Sequence, residues 1–214
     1  MLSFIQDHWS DILSRAVEHA WLAGLPLVIG LLISLPLGWL ARRASWLRVI
    51  LVGGSSLLYT IPSLALFVLM PLIVKTNIVD PINVIIAMTI YTLALLVRTV
   101  ADALGAVSEE TTQAAIAMGY TPIRRFFGVE LPLAVPVISA GLRVAAVSNV
   151  AIVSVAALLG IRQLGFYLTD GYQTTYWAEV WTGVVACLVL ALIFDLVIQL
   201  ITRLLTPWQK AAVS

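Results

Sequence analysis

Charge is what this sequence has least of. Its 12 basic and 11 acidic residues make up 11% of 214 positions, against about 25% in a soluble domain. With 61% of residues hydrophobic and a mean hydropathy of +1.04, there is too little polar surface for a water-soluble fold, and most of the exterior is expected to face lipid. The same figures exclude disorder. Cysteine is almost absent: Cys187 stands alone, so no disulfide can form within the chain. A net charge of +1 leaves no footprint for nucleic acid. The basic start of a cleavable signal peptide is lacking, since Asp7, Asp11 and Glu18 outweigh Arg15, and the chain is expected to insert through its first span. Also missing are a GxxxxGK(S/T) phosphate loop and any nucleophile motif. His8 and His19 have no cysteine or carboxylate set to complete a metal site. No metal, cofactor or reaction centre is therefore expected in this chain.

What is present is a series of long apolar runs. Measured against the roughly 20 residues needed to cross a bilayer, five stretches qualify, at about 21–40, 49–74, 82–100, 133–159 and 180–201. In lipid the backbone must satisfy its own hydrogen bonds, and strand-like alternation is absent, so each is expected to be a helix. The fold class expected is an all-α integral membrane protein with five transmembrane helices in a single domain over 1–214. Eight basic residues (Arg42, Arg43, Arg48, Arg98, Arg124, Arg125, Arg203, Lys210) fall on one side and three (Arg15, Lys75, Arg162) on the other. The richer side is expected to be cytoplasmic, with the N-terminus outside and the C-terminus inside. Trp21, Trp177, Trp181 and Trp208 then lie near the interfaces.

The longest inside segment, 102–132, reads as a two-helix hairpin. Ser108 is placed to cap a helix whose first turn holds Glu109 and Glu110, acids at the positive end of its dipole. Gly119 suits the left-handed residue after that helix, and Thr121-Pro122 starts a second. Leu131-Pro132 is expected to end the second helix at the entry to the fourth span. Ala114, Ala115, Ile116, Ala117 and Met118 form an apolar knob beside the turn, which asks for a protein socket.

Polar residues inside the spans allow a structural and a functional reading. Pro62 and Pro71 free carbonyls in the second span, and Thr60 and Ser63 can satisfy one or line a path. Gly30, Ser34 and Gly38 form a stripe of small residues suited to helix packing. Ser148, Asn149 and Ser154 serve either a pathway or hydrogen bonding between helices. Arg143 and Asp195 are costly in hydrocarbon. At roughly 1.5 Å per residue they lie about 16 and 12 Å from the inner face, depths that permit pairing. A structural pair is preferred over a proton relay, because no second acid and no histidine lie as deep. Phe166, Tyr167, Tyr172, Tyr176 and Trp177 crowd the outer loop, as an aromatic belt or a cage for a quaternary ammonium ion.

One spacing is more specific. Gln113-Ala114-Ala115, then Gly119, then Val129-Glu130-Leu131-Pro132 resembles the EAA signature of ABC importer permeases, with Gln113 and Val129 replacing the usual Glu and Ile. Over roughly 20–207 the chain is most similar to the osmoprotectant (glycine betaine, carnitine, choline) permeases. The segments Tyr59 to Leu66, Leu131 to Pro136, Gly141-Leu142-Arg143, Leu164-Gly165 and Thr206-Pro207 carry that likeness. The resemblance implies a type I ABC importer permease in a bacterial cell membrane, not itself an enzyme. Its expected partners are an ABC ATPase dimer that binds ATP and magnesium, a second permease subunit, an extracytoplasmic solute-binding protein and membrane lipid. It places ATPase coupling on Gln113, Ala114, Ala115, Met118, Gly119, Leu131 and Pro132, and favours a pathway role for Thr60, Pro62 and Ser63; Ser148 and Asn149 are pathway candidates on their polarity alone. A methionine or other amino-acid importer shares the plan and is the rival within transport. A membrane scaffold or membrane-embedded enzyme is the rival outside it.

Overall fold

The computed structural model of the protein describes residues 2–208, so Lys210, counted above on the basic side, lies outside the described residues. Among the described residues there is no strand. A short helix α1 (Leu2–Asp7) leads into α2 (Trp9–Ala41), which runs through Pro26 and Pro36 without a break. Next come α3 (Ser45–Leu58) and α4 (Ser63–Val74), which meet at 103°. α5 (Pro81–Gly105) starts at Asp80, whose carboxylate accepts the Ile82 N–H at 3.0 Å, with Pro81 in the first turn where its missing N–H costs nothing. α6 (Glu109–Ala117) and the long α7 (Pro122–Leu159) follow, then the short α8 (Phe166–Gln173) and α9 (Trp177–Leu205).

Four of these helices, α2, α5, α7 and α9, are long and apolar enough to cross a membrane alone, and α3 with α4 makes a fifth only if the bent pair counts as one. The stretch 49–74, read as one span, is thus two helices with an elbow. Pro62 cannot donate an N–H and disfavours helical geometry at Ile61. Thr60 and Ile61 therefore close tight turns onto Leu57 and Leu58, while the Ile61 carbonyl accepts the Tyr91 hydroxyl.

The reverse holds at Pro132. The second hairpin helix was expected to stop there, yet α7 continues through it. A π turn over Phe126–Glu130, in which the Leu131 N–H reaches back to the Phe126 carbonyl, widens the helix just before the proline ring. That extra width relieves the clash a proline makes with the preceding turn.

α5 is the centre of the packing, with 61% of its apolar stretch buried, against 11% for α9, which lies at the outside of the bundle. The small-residue stripe makes the closest contact: Gly30, Ser34 and Gly38 of α2 are all buried. A Cβ at Gly30 would come within 2.5 Å of Thr92 Cγ2, and one at Gly38 within 2.5 Å of Val100 Cγ1, so α2 and α5 meet almost backbone to side chain.

Candidate functional site

The hairpin carries its caps as its residue types dictate. The Ser108 hydroxyl accepts the Thr111 N–H at 3.2 Å, and Thr121 accepts the Arg124 N–H at 3.4 Å. Gly119 takes φ +81°, and the Gly119 and Tyr120 N–H groups return to the Ile116 and Ala115 carbonyls, which closes α6. Ala115 is buried against the hairpin itself. Gln113, Ala114, Ile116, Ala117 and Met118 are exposed, Met118 by 68%. Gln113 donates to Glu109 one turn back at 3.3 Å. Leu131 and Pro132 lie half-buried at the other end of the limb, so the residues assigned to coupling form a tip and a root rather than one patch.

The root is fixed to α2. Phe126 is buried with its ring 5.6 Å from Trp39, and the Arg43 guanidinium lies 4.0 Å over that indole. Glu130 points inward with a side chain only 3% exposed. Arg125 Nε donates to its Oε1 at 2.8 Å and Arg42 Nη1 to its Oε2 at 3.2 Å. At the base of the hairpin, Arg48 at the start of α3 donates to Asp102 on α5 at 2.7 Å. Sequence reasoning counted Arg42 and Arg125 as loop charges and overlooked this cluster. Its one visible signal was Glu130 itself, an acid between two phenylalanines and the Leu-Pro entry to a span.

Between α7 and α9, Arg143 and Asp195, with side chains 41% and 20% exposed, are brought together by two parallel hydrogen bonds, Nε to Oδ1 at 2.5 Å and the second guanidinium nitrogen to Oδ2 at 3.0 Å, and Gln199 donates to the same carboxylate at 2.7 Å. Asn149, 2% exposed, sits where α2, α5 and α7 meet. Its amide donates to the Ala23 carbonyl at 3.2 Å and to the Thr92 hydroxyl at 3.0 Å. These bonds tie α7 to α2 and α5. Thr60 and Pro62 lie exposed on the elbow, Ser63 and Ser148 are half-buried, and the Thr60 hydroxyl is taken by the Leu57 carbonyl at 2.7 Å. Beside the elbow, Ser56, Tyr59, Arg98 and Thr99 line an open hollow of about 300 Å³ between α3 and α5.

The end of α2 away from the hairpin carries a second charge cluster. Asp11 accepts from Arg15 Nε and from the Tyr167 hydroxyl, both at 2.7 Å, and from Arg162 at 3.2 Å. Burial, and then the bond to Asp11, push the Tyr167 hydroxyl far above the ordinary tyrosine value, so it remains a donor. Phe166 and Tyr167 fold inward, with Arg15 lying 3.9 Å over the Phe166 ring, while Tyr172, Tyr176 and Trp177 stay exposed. Among the five, Phe166 and Tyr167 meet edge to face, with ring centroids 5.8 Å apart.

Residues 27–211 match the family described as "Binding-protein-dependent transport system inner membrane component". The chain belongs to this family. It is the permease subunit of an ABC importer and a multi-pass protein of the cell membrane. The osmoprotectant import permease protein OsmW of Salmonella typhimurium is 36% identical to this permease over 174 residues, 79% of this chain and 80% of OsmW. The ergothioneine transport permease/ergothioneine binding protein EgtU of Helicobacter pylori is 39% identical over 150 residues, 70% of this chain and 26% of EgtU. Among solved structures, a chain of the MetNI methionine ABC transporter in an inward-facing conformation superposes with a TM-score of 0.83 over 94% of this permease and 98% of that chain. At 20% identity this shows a shared fold.

Proposed function

We propose that this permease imports a small quaternary ammonium osmoprotectant, such as glycine betaine, carnitine or choline, by alternating access driven by a partner ATPase. The observation that carries the substrate class is the 36% identity to OsmW across four fifths of both chains. The match to EgtU points the same way, because ergothioneine is itself a trimethylammonium betaine. An amino-acid substrate is supported by shared fold alone, with the methionine transporter at 20% identity and another amino-acid ABC transporter at 16%.

In this reading the chain crosses the membrane five times, with α3 and α4 forming one broken crossing, the N-terminus outside and the C-terminus inside. Two permease subunits, the same or related, enclose the pore. ATP and magnesium bind the ATPase pair, and an extracytoplasmic binding protein delivers the solute. The exposed knob from Ala114 to Met118 seats in an ATPase cleft, and Gly119 aims it. ATP binding pulls the hairpin and opens the pore outward, and hydrolysis resets it. Only an unequal affinity of the ATPase for the two states can drive this cycle. Thr60, Pro62, Ser63 and Ser148 face the pathway. The exposed, kinked elbow supports that placement, since non-helical backbone at membrane depth is tolerated where it lines a cavity.

The test is reconstitution with its ATPase and binding protein in liposomes. ATP-dependent uptake of labelled glycine betaine, carnitine or choline is expected, and uptake of methionine alone would replace the substrate class. In a Cys187-free background, cysteines at Ser45 and Ser108 should label only from inside and one at Thr174 from outside. Labelling of the Ser108 position in intact cells would invert the topology.

A further inference from the structure

We propose that Arg42 and Glu130 form the joint through which movement of the hairpin reaches α2, and that both act as positioning residues for transport. The inference rests on the hairpin reading above. α6 finds its packing partners in the Pro122–Glu130 stretch, so a displacement of α6 enters the body of the protein there. Two buried side chains of that stretch face the end of α2, Phe126 on Trp39 and Glu130 on Arg42. Arg42 is the residue that closes α2, where the negative end of the helix dipole favours a cation. From that point α2 is packed through Gly30, Ser34 and Gly38 directly onto α5, the central helix. One continuous line of contact thus runs from the hairpin root to the middle of the bundle.

The two arms of Glu130 are unequal. Arg125 belongs to the same limb, five residues away, and holds the carboxylate at 2.8 Å. Arg42 belongs to another element, 88 residues away, and holds it at 3.2 Å. The carboxylate therefore travels with the limb, and the Arg42 contact is the one that yields when the limb moves. A contact with two arrangements is what transmission requires, since packed cores switch between states rather than deform smoothly. The π turn Phe126–Glu130, a feature frequent at functional positions, is what carries the carboxylate to the inner side.

The experiment uses the complete importer, with permease, ATPase and binding protein in liposomes, and measures solute moved per ATP hydrolysed together with ATPase retained on purification. Arg42→Gln, which spares the Arg125 pair, should keep the ATPase yet lower solute per ATP by roughly 5-fold or more, the low end of coupling between sites. Glu130→Gln should do the same, the double variant should be no worse than either, and Arg42→Lys should restore most of the ratio. A wild-type ratio in both Gln variants overturns the proposal, and so does loss of the ATPase from Arg42→Gln, which would make the contact a mere support for docking. If a Gly119→Val complex with Arg42 and Glu130 intact still holds its ATPase, the hairpin reading itself falls and the joint with it.

Discussion

At the hairpin end, Glu130 is 3% exposed and is shared by two arginines that are themselves mostly covered. At the opposite end of α2, Asp11 is 37% exposed and is shared by Arg15, Tyr167 and an Arg162 that is 53% exposed. Both clusters tie an end of α2 to sequence flanking the apolar part of α7, and both use a carboxylate as hub. Their surroundings make them different devices. A charge cluster in contact with water is screened and contributes little, whereas a covered carboxylate depends on every partner it has. The hairpin end is therefore a joint whose covered carboxylate must keep a partner in either arrangement, and the far end is a clasp that can loosen without unfolding the bundle.

Four substitutions test that contrast. The largest effect is expected for Glu130→Ala, which strands Arg42 and Arg125 beside each other. A loss of about 3 kcal/mol, the low end for breaking a buried pair, should appear in thermal unfolding of the detergent-purified protein, and an unchanged Tm would put the two ends on the same footing. Gly119→Val should come next. A Cβ there meets nothing within 4 Å, so the cost is the left-handed backbone alone, on the order of 1–2 kcal/mol. The variant should insert and dimerise but lose its ATPase in pulldown, with Gly119→Ala milder; normal uptake by the Val variant would deny the hairpin its role.

At the far end, Tyr167→Phe removes one hydrogen bond to Asp11 and should cost about 1 kcal/mol, leaving hairpin docking intact. Thermal unfolding beside an ATPase pulldown separates the two. Arg162→Ala should be the smallest, within about 0.5 kcal/mol of wild type. If its effect on stability exceeded that of Glu130→Ala, the two ends of α2 would have to exchange roles.

Much of the hairpin was legible beforehand because its signals are local. Ser108, Gly119, Thr121 and Pro122 act within three or four residues, and each does in the structure what its type dictates. Arg143 and Asp195 were also within reach, since two costly charges at one depth have few alternatives to each other. The Glu130 cluster was not. Nothing near Glu130 reveals that an arginine 88 residues earlier ends its helix at that spot. Asn149 likewise had four hydrogen-bonding sites to fill, but which helices fill them depends on how α2, α5 and α7 pack.

The prolines draw the line most clearly. Composition and run length alone determined that this chain lives in lipid as helices, because a backbone without water must bond to itself and 61% hydrophobic content leaves no other solvent. A proline always removes one N–H and crowds one turn, and that much is read directly from sequence. Whether the helix then breaks was decided by tertiary structure. At Pro62 the Leu58 carbonyl that loses its partner takes the Ile61 N–H, the Ile61 carbonyl itself meets the Tyr91 hydroxyl thirty residues away, and the chain turns through 103°. At Pro132 the π turn absorbs the ring while Phe126 and Glu130 are held on α2, and the helix runs on. The local penalty is the same in both places. The outcome differs because the groups that compensate it come from elsewhere in the fold.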